Sequence, residues 1–185
     1  MALTWARIAF IPLIVGVFYV PDALVSPHMK NVLACIMFII AAITDALDGY
    51  IARNYNMATM MGAFLDSVAD KLVGCSAIVV LLAFDRVDMI VALIIVGREI
   101  AVTALREWMA KIGAAATVKV NWFGKIKTIA QMTAIPMLLF FDPFFGIDIY
   151  LVGTVLIWVA AVLTVYSMFV YMSAAWPHIE GGDAK

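Results

Sequence analysis

Charged residues interrupt this chain rarely, and at telling places. One stretch, Ile149 to Ile179, carries no charge and is long enough to cross a bilayer by itself. The other uncharged runs are shorter: Ile8–Pro21, Asn31–Thr44, Leu72–Phe84, Met89–Gly97 and Thr128–Phe141. None spans alone, yet most continue into a segment whose few charges recur at helical spacing. The pattern predicts six transmembrane helices near residues 4–20, 30–53, 60–84, 88–111, 122–141 and 147–176, several with polar residues in the half nearest one membrane face. Breakers separate them: Pro21-Asp22, the short polar link Asn54–Thr59, Asp85-Arg86-Val87-Asp88, the polar interval Lys111–Asn121 with Gly113, and Asp142-Pro143. The expected fold is all-α, a polytopic membrane protein forming a single domain over residues 1–185 without internal repeats.

Composition agrees. With 66% hydrophobic and 14% charged residues in 185, the chain lacks the polar surface that a soluble domain of this length needs. The net charge of -1 says nothing about nucleic acid, which is not an expected partner. The placement of the charges says more than their sum. With six helices and both termini on one side, that side holds Arg53, Arg106, Lys111, Lys119, Lys125, Lys127 and Lys185, with Arg7 near it. The opposite side holds Lys30 and Arg86. Positive residues mark the cytoplasmic side, so both termini are expected there. Trp5 and Arg7 suit an interfacial helix start, and no small-residue cleavage site follows the first apolar run. Cys35 and Cys75 fall in apolar helix interiors and read as small hydrophobes with no pairing framework. His28 and His178 read as surface residues.

Against this background four acids stand out: Asp45, Asp48, Asp66 and Asp70. One ionised carboxylate in a membrane helix costs about 2.5–3.5 kcal/mol on insertion scales, and four together also repel one another. Asp45 and Asp48 are three apart near the end of the second helix and share a face; Asp66 and Asp70 are four apart in the third and share another. A short link makes these helices antiparallel, which can bring the two faces together. Gly49, Ala52 and Gly62 are small where a ligand or a second backbone must approach. Converging carboxylates are hard donors suited to Mg2+ or Mn2+, and four of them suffice for two ions. The alternatives are acids that cap helices or line a polar cavity, or a cation transit site in a transporter. A second acidic cluster that would complete a path across the membrane is not evident.

Arranged as Asp-x-x-Asp-Gly-x-x-Ala-Arg, eight residues, then Gly-x-x-x-Asp-x-x-x-Asp, residues 45–70 match the signature of the CDP-alcohol phosphotransferases without departure. The chain resembles that family of six-helix, generally homodimeric membrane enzymes, which use divalent metal to displace CMP from a CDP-linked lipid or alcohol at the cytoplasmic boundary. The resemblance implies that Asp45, Asp48 and Asp66 ligate metal, and that Asp70 is the general base and also touches metal. It also implies that Gly49, Ala52, Arg53 and Gly62 accommodate the cytidine and diphosphate. Leu3-Thr4-x-x-Arg7 resembles the end of the family's opening segment, whose earlier part the chain is expected to lack, and this adds Thr4 to the CDP-lipid residues.

A second charged set bears on the acceptor. Arg98, Glu99, Arg106 and Glu107 punctuate the fourth helix, and Lys119, Lys125 and Lys127 lead into the fifth. Arginine and lysine bind phosphate well, so Arg98, Arg106, Lys125, Lys127 and Lys71 are candidates for holding a small phosphorylated alcohol. Lys111 and Lys119 read instead as topology determinants that touch anionic headgroups. Glu99 reads as a salt-bridge partner. Arg98-Glu99-Ile100, Ala104 to Ala110 and Trp122-x-Gly124-Lys125-x-Lys127-Thr128-x-x-Gln131-Met132 look like the bacterial phosphatidylglycerophosphate synthase branch of the family, as does Asp66-Ser67-Val68-Ala69-Asp70-Lys71, although that branch often has proline at Ser67. This closer resemblance implies transfer of phosphatidyl from CDP-diacylglycerol to sn-glycerol 3-phosphate in the bacterial inner membrane. Sibling acceptors are inositol phosphate, serine or another phosphatidylglycerol.

Overall fold

The computed structural model describes residues 2–55, 60–113 and 122–182, with all their side chains except those of 2–6, 45, 46, 48–55, 60–64, 66, 67, 123–125 and 178–182. Six helices and no strand make up the described residues: α1 (Ala2–Tyr19), α2 (Pro27–Tyr55), α3 (Met60–Ala83), α4 (Met89–Lys111), α5 (Trp122–Phe140) and α6 (Ile149–Gly182). The all-α class and the helix number are those expected from the apolar pattern.

Local chemistry sets the boundaries. α2 begins one turn earlier than the apolar run, because Ser26 Oγ accepts from the Met29 N–H at 3.3 Å and Pro27 takes a first-turn position where its missing N–H costs nothing. Asp88 caps α4 through the Ile90 N–H at 2.7 Å, and Asp148 caps α6 through the Leu151 N–H at 3.1 Å. α3 closes in a Schellman turn: the Arg86 N–H reaches Leu81 O at 2.8 Å and the Asp85 N–H reaches Leu82 O at 3.1 Å, with Asp85 left-handed at φ 53°. α5 ends with one bond from the Phe141 N–H to Met137 O at 3.1 Å, Phe141 lying at φ 63°.

α5 packs along α6 and against α2, α1 lies on α2 and α3, and α4 meets α6 and α3. Phe38, Ile78, Leu81, Ile95, Ile135 and Leu138 fill the centre. Small residues let the helices approach: a Cβ at Gly153 of α6 would lie 3.0 Å from Leu138 Cγ and 3.1 Å from Met137 Cβ of α5. Large apolar side chains such as Leu93, Ile100, Ile129, Val155, Val162 and Phe169 face outward, as a lipid solvent allows. α2 over Pro27–Thr44 and α6 over Ile149–Pro177 are long and apolar enough to cross a membrane, with mean hydropathy 1.5 and 2.2. Length, composition and outward apolar side chains suit a membrane protein.

At the end where α2 starts, Arg86 ties three turns together. Its Nη1 donates to the terminal carbonyls Leu138 O at 3.3 Å and Leu139 O at 2.8 Å, and its Nη2 to Asn31 Oδ1 at 2.6 Å. The guanidinium also lies 4.5 Å from the Phe141 ring centroid and 5.5 Å from that of Phe18. Asp142 receives His28 Nδ1 at 2.8 Å and Asn31 Nδ2 at 3.2 Å. Burial would raise the Asp142 pKa, but the hydrogen bonds from His28 and Asn31 and the charges of His28 and Arg86 outweigh it and hold the carboxyl below its usual range. Arg7 of α1 is only 1% exposed, and α1 packs on α2 and α3.

Candidate active site

Four helices converge on a cavity of about 360 Å3. α3 supplies Asp70, Lys71, Gly74 and Cys75, and α5 supplies Lys127, Thr128, Gln131 and Met132. Both sets follow the spacing i, i+1, i+4, i+5, which makes one face of a helix. α4 contributes Arg98, Glu99 and, two turns on, Arg106; α6 contributes Tyr171. The walls thus hold four cations and two carboxylates.

Glu99 organises the cations. Its Oε1 accepts from Arg98 Nη1 and from Lys127 Nζ, both at 2.8 Å. Neighbours in a helix normally point apart; here the reach of arginine lets residues 98 and 99 meet, with Lys127 from α5 completing the triad. Lys127 is 2% exposed and the Arg98 side chain 10%. A cation this deep in an apolar bundle requires a counter-charge, and one carboxylate serves two. Arg98 Nε is buried without a hydrogen-bond partner among the described residues, so within them the triad leaves a cationic donor unsatisfied. Arg106 Nη2 donates to the Tyr171 hydroxyl at 2.9 Å, its guanidinium carbon 5.2 Å from the Tyr171 ring centroid.

Of the residues singled out in the sequence, Asp70, Lys71, Arg98, Arg106 and Lys127 share this cavity. Asp45, Asp48, Gly49, Ala52 and Arg53 lie on α2, Gly62 and Asp66 on α3, Thr4 on α1 and Lys125 on α5, but their side chains lie outside the described residues. Among the described residues no group of three metal-ligating side chains forms. By chemistry alone, the carboxylate oxygens of four aspartates, two in the sequence of each of the touching helices α2 and α3, would suit a hard divalent ion; of the four, Asp70 lines the cavity. Cys75 departs from its apolar reading, because the stripe it shares with Asp70 and Lys71 faces the polar cavity; both cysteines are free thiols. Sequence reasoning passed over Tyr171, a hydroxyl within a long apolar run. The signal was its place near the end of α6, level with the charged ends of α4 and α5.

A family model described as CDP-alcohol phosphatidyltransferase matches residues 1–166. The chain belongs to that family. It is 43% identical over 175 residues, 94% of its length and 92% of the relative's, to a protein of Salmonella choleraesuis strain SC-B67 named CDP-diacylglycerol–glycerol-3-phosphate 3-phosphatidyltransferase. A protein of the same name from Shigella flexneri serotype 5b is also 43% identical over 175 residues, 94% of this chain and 92% of the relative. Another from Yersinia enterocolitica is 42% identical over 176 residues, with the same two shares of 94% and 92%. Membership in the family fits the aspartate pattern of α2 and α3, and the family is generally metal-dependent.

Proposed function

We propose that this protein transfers the phosphatidyl group of CDP-diacylglycerol to the 1-hydroxyl of sn-glycerol 3-phosphate, releasing CMP and phosphatidylglycerophosphate. The observation that carries the acceptor assignment is the cavity: a carboxylate, Asp70, shares its walls with Lys71, Arg98, Arg106 and Lys127. Those cations bind the phosphate of the acceptor, the arginines through paired N–H groups. The unsatisfied Arg98 Nε is a donor such an anion can take up. Binding at that end presents the acceptor hydroxyl to Asp70, which takes its proton as the oxygen attacks phosphorus. Holding both groups in one cavity supplies the orientation that displacement needs.

Asp45, Asp48, Asp66 and Asp70 are the residues that would hold two Mg2+ or Mn2+ ions. Metal bound there would offset the diphosphate charge and stabilise CMP as a leaving group. Gly49, Ala52, Gly62, Arg53 and Thr4 accommodate the CDP moiety while the acyl chains remain in lipid. In this reading all six helices span the bacterial inner membrane as one domain, with the termini and the cavity toward the cytoplasm, and the protein works as a homodimer. The clustering of lysine and arginine at that end supports the orientation.

The test offers purified protein CDP-diacylglycerol and Mg2+ with labelled glycerol 3-phosphate, serine or inositol phosphate in turn. CMP release is expected with glycerol 3-phosphate alone; release with serine alone would overturn the acceptor assignment. Asp66→Asn should abolish turnover with an unchanged melting midpoint, and retained activity would remove Asp66 from the ligand set.

A further inference from the structure

We infer that Tyr171 is a positioning and specificity residue for the acceptor, one that sets the Arg106 guanidinium from α6 and offers its own O–H to the acceptor phosphate. The inference rests on the acceptor reading above. The buried stripe of α6 changes character along its length: Ile157, Ala160 and Ala161 give way to Thr164, Ser167 and Tyr171, all at most 2% exposed. Ser167 turns its hydroxyl back on Thr164 O at 2.9 Å, satisfying its own helix. Tyr171 does not. Its hydroxyl reaches across to α4 and accepts from Arg106 at 2.9 Å, while its ring lies 5.2 Å from the same guanidinium.

This double contact fixes a side chain that would otherwise be free to swing. Arg106 is on an exposed stretch of α4, unlike Arg98 and Lys127, which Glu99 holds. The hydroxyl oxygen uses a lone pair on Arg106, and its proton meets no acceptor among the described residues. It is directed by chemistry toward whatever anion Arg106 binds, since a hydroxyl next to a guanidinium donates to the shared oxygen acceptor. Tyr171 is also the one α6 side chain among the described cavity-lining residues. A purely apolar side chain there would close the bundle equally well and do neither job.

Steady-state kinetics on the full-length protein in detergent, with both substrates varied, tests this. Tyr171→Phe keeps the ring and its packing and removes the hydroxyl. The KM for glycerol 3-phosphate should rise about tenfold, the scale of one hydrogen bond to a charged group. kcat, the KM for CDP-diacylglycerol and the melting midpoint should stay at wild-type values. In an Arg106→Ala background, Tyr171→Phe should add less than about twofold, because the two act as a unit. An unchanged KM in Tyr171→Phe, with Arg106→Ala raising it, overturns the inference and leaves the acceptor reading intact. A full tenfold effect on top of Arg106→Ala also overturns it, by showing the residues independent. If Arg106→Ala itself leaves that KM unchanged, the acceptor reading fails. Should Tyr171→Phe lower the melting midpoint, Tyr171→His, which keeps a donor, must recover the KM better than Tyr171→Leu; equal losses in both refute a positioning role.

Discussion

Replacing Glu99 by glutamine keeps the shape of the triad and removes its only negative charge. Glu99 Oε1 takes two charge-assisted bonds of 2.8 Å, from Arg98 and Lys127. Each such bond contributes about 1.5–3 kcal/mol, and breaking a buried ion pair from one side costs about 3–5 kcal/mol. The Glu99 side chain is 22% exposed and glutamine retains an acceptor oxygen, which places the expected loss near the lower limit, about 3 kcal/mol. For a chain of this size each kcal/mol lowers the melting midpoint by roughly 2–4 °C, so Glu99→Gln should melt roughly 6–12 °C below wild type. A phosphate ion bound between the same cations replaces the missing charge. Saturating inorganic phosphate should therefore raise the midpoint of Glu99→Gln by more than that of wild type. Thermal unfolding in detergent, read by tryptophan fluorescence at matched ionic strength with phosphate or chloride, measures both quantities. A variant melting within roughly 1 °C of wild type would refute the electrostatic account of the triad. A lowered midpoint with no enlarged phosphate response would refute the anion-binding role of the cavity.

Two further outcomes follow from geometry described above. A Cβ built at Gly74 meets nothing within 4 Å, and Gly74 lines the cavity, so Gly74→Leu should fold normally while its side chain occupies acceptor space. Its kcat/KM for glycerol 3-phosphate should fall about a hundredfold, the scale of an ångström's misplacement, and wild-type kinetics would show that the acceptor sits elsewhere. At the opposite end, Asp142 has a folded pKa below its ordinary value, so its contribution to stability is present above the unfolded value of about 3.9 and lost as pH falls through the depressed one. The melting midpoint of wild type should thus drop more steeply than that of Asp142→Asn as pH is lowered from about 5 to 3, and parallel curves would dissolve the network's claim on that carboxylate.

How much of this was legible in the residue order depends on whether a residue looked out of place. Arg98, Arg106, Lys127 and Asp70 did, because a charge on an apolar helix demands a reason, and each lines the cavity. Tyr171 and Cys75 did not: both are ordinary in membrane helices, and only the packing of α6 and α3 turns them toward polar neighbours. Helix number could be read from apolar runs and breakers. The start of α2 was less accessible, since the helix entry at Pro27 depends on a hydrogen bond from the Met29 N–H to Ser26, below the resolution of a hydropathy pattern. The partnership of Arg98, Glu99 and Lys127 joins two helices, and spacing within one helix is silent about it.

The knot around Arg86 has a mechanical consequence. It binds the start of α2, the turn before α4 and the end of α5, so these helices share a fulcrum remote from the cavity. Arg106 lies 17 residues beyond Met89, the first residue of α4, about 26 Å along the helical rise. Over such a lever arm a tilt of about 5° would displace Arg106 by about 2.2 Å, most of the length of a hydrogen bond. A pivot at the knot would therefore move Arg106 relative to the other cavity walls. Loosening Arg86 should degrade substrate capture from across the full thickness of the protein, without touching a single group that meets the substrate.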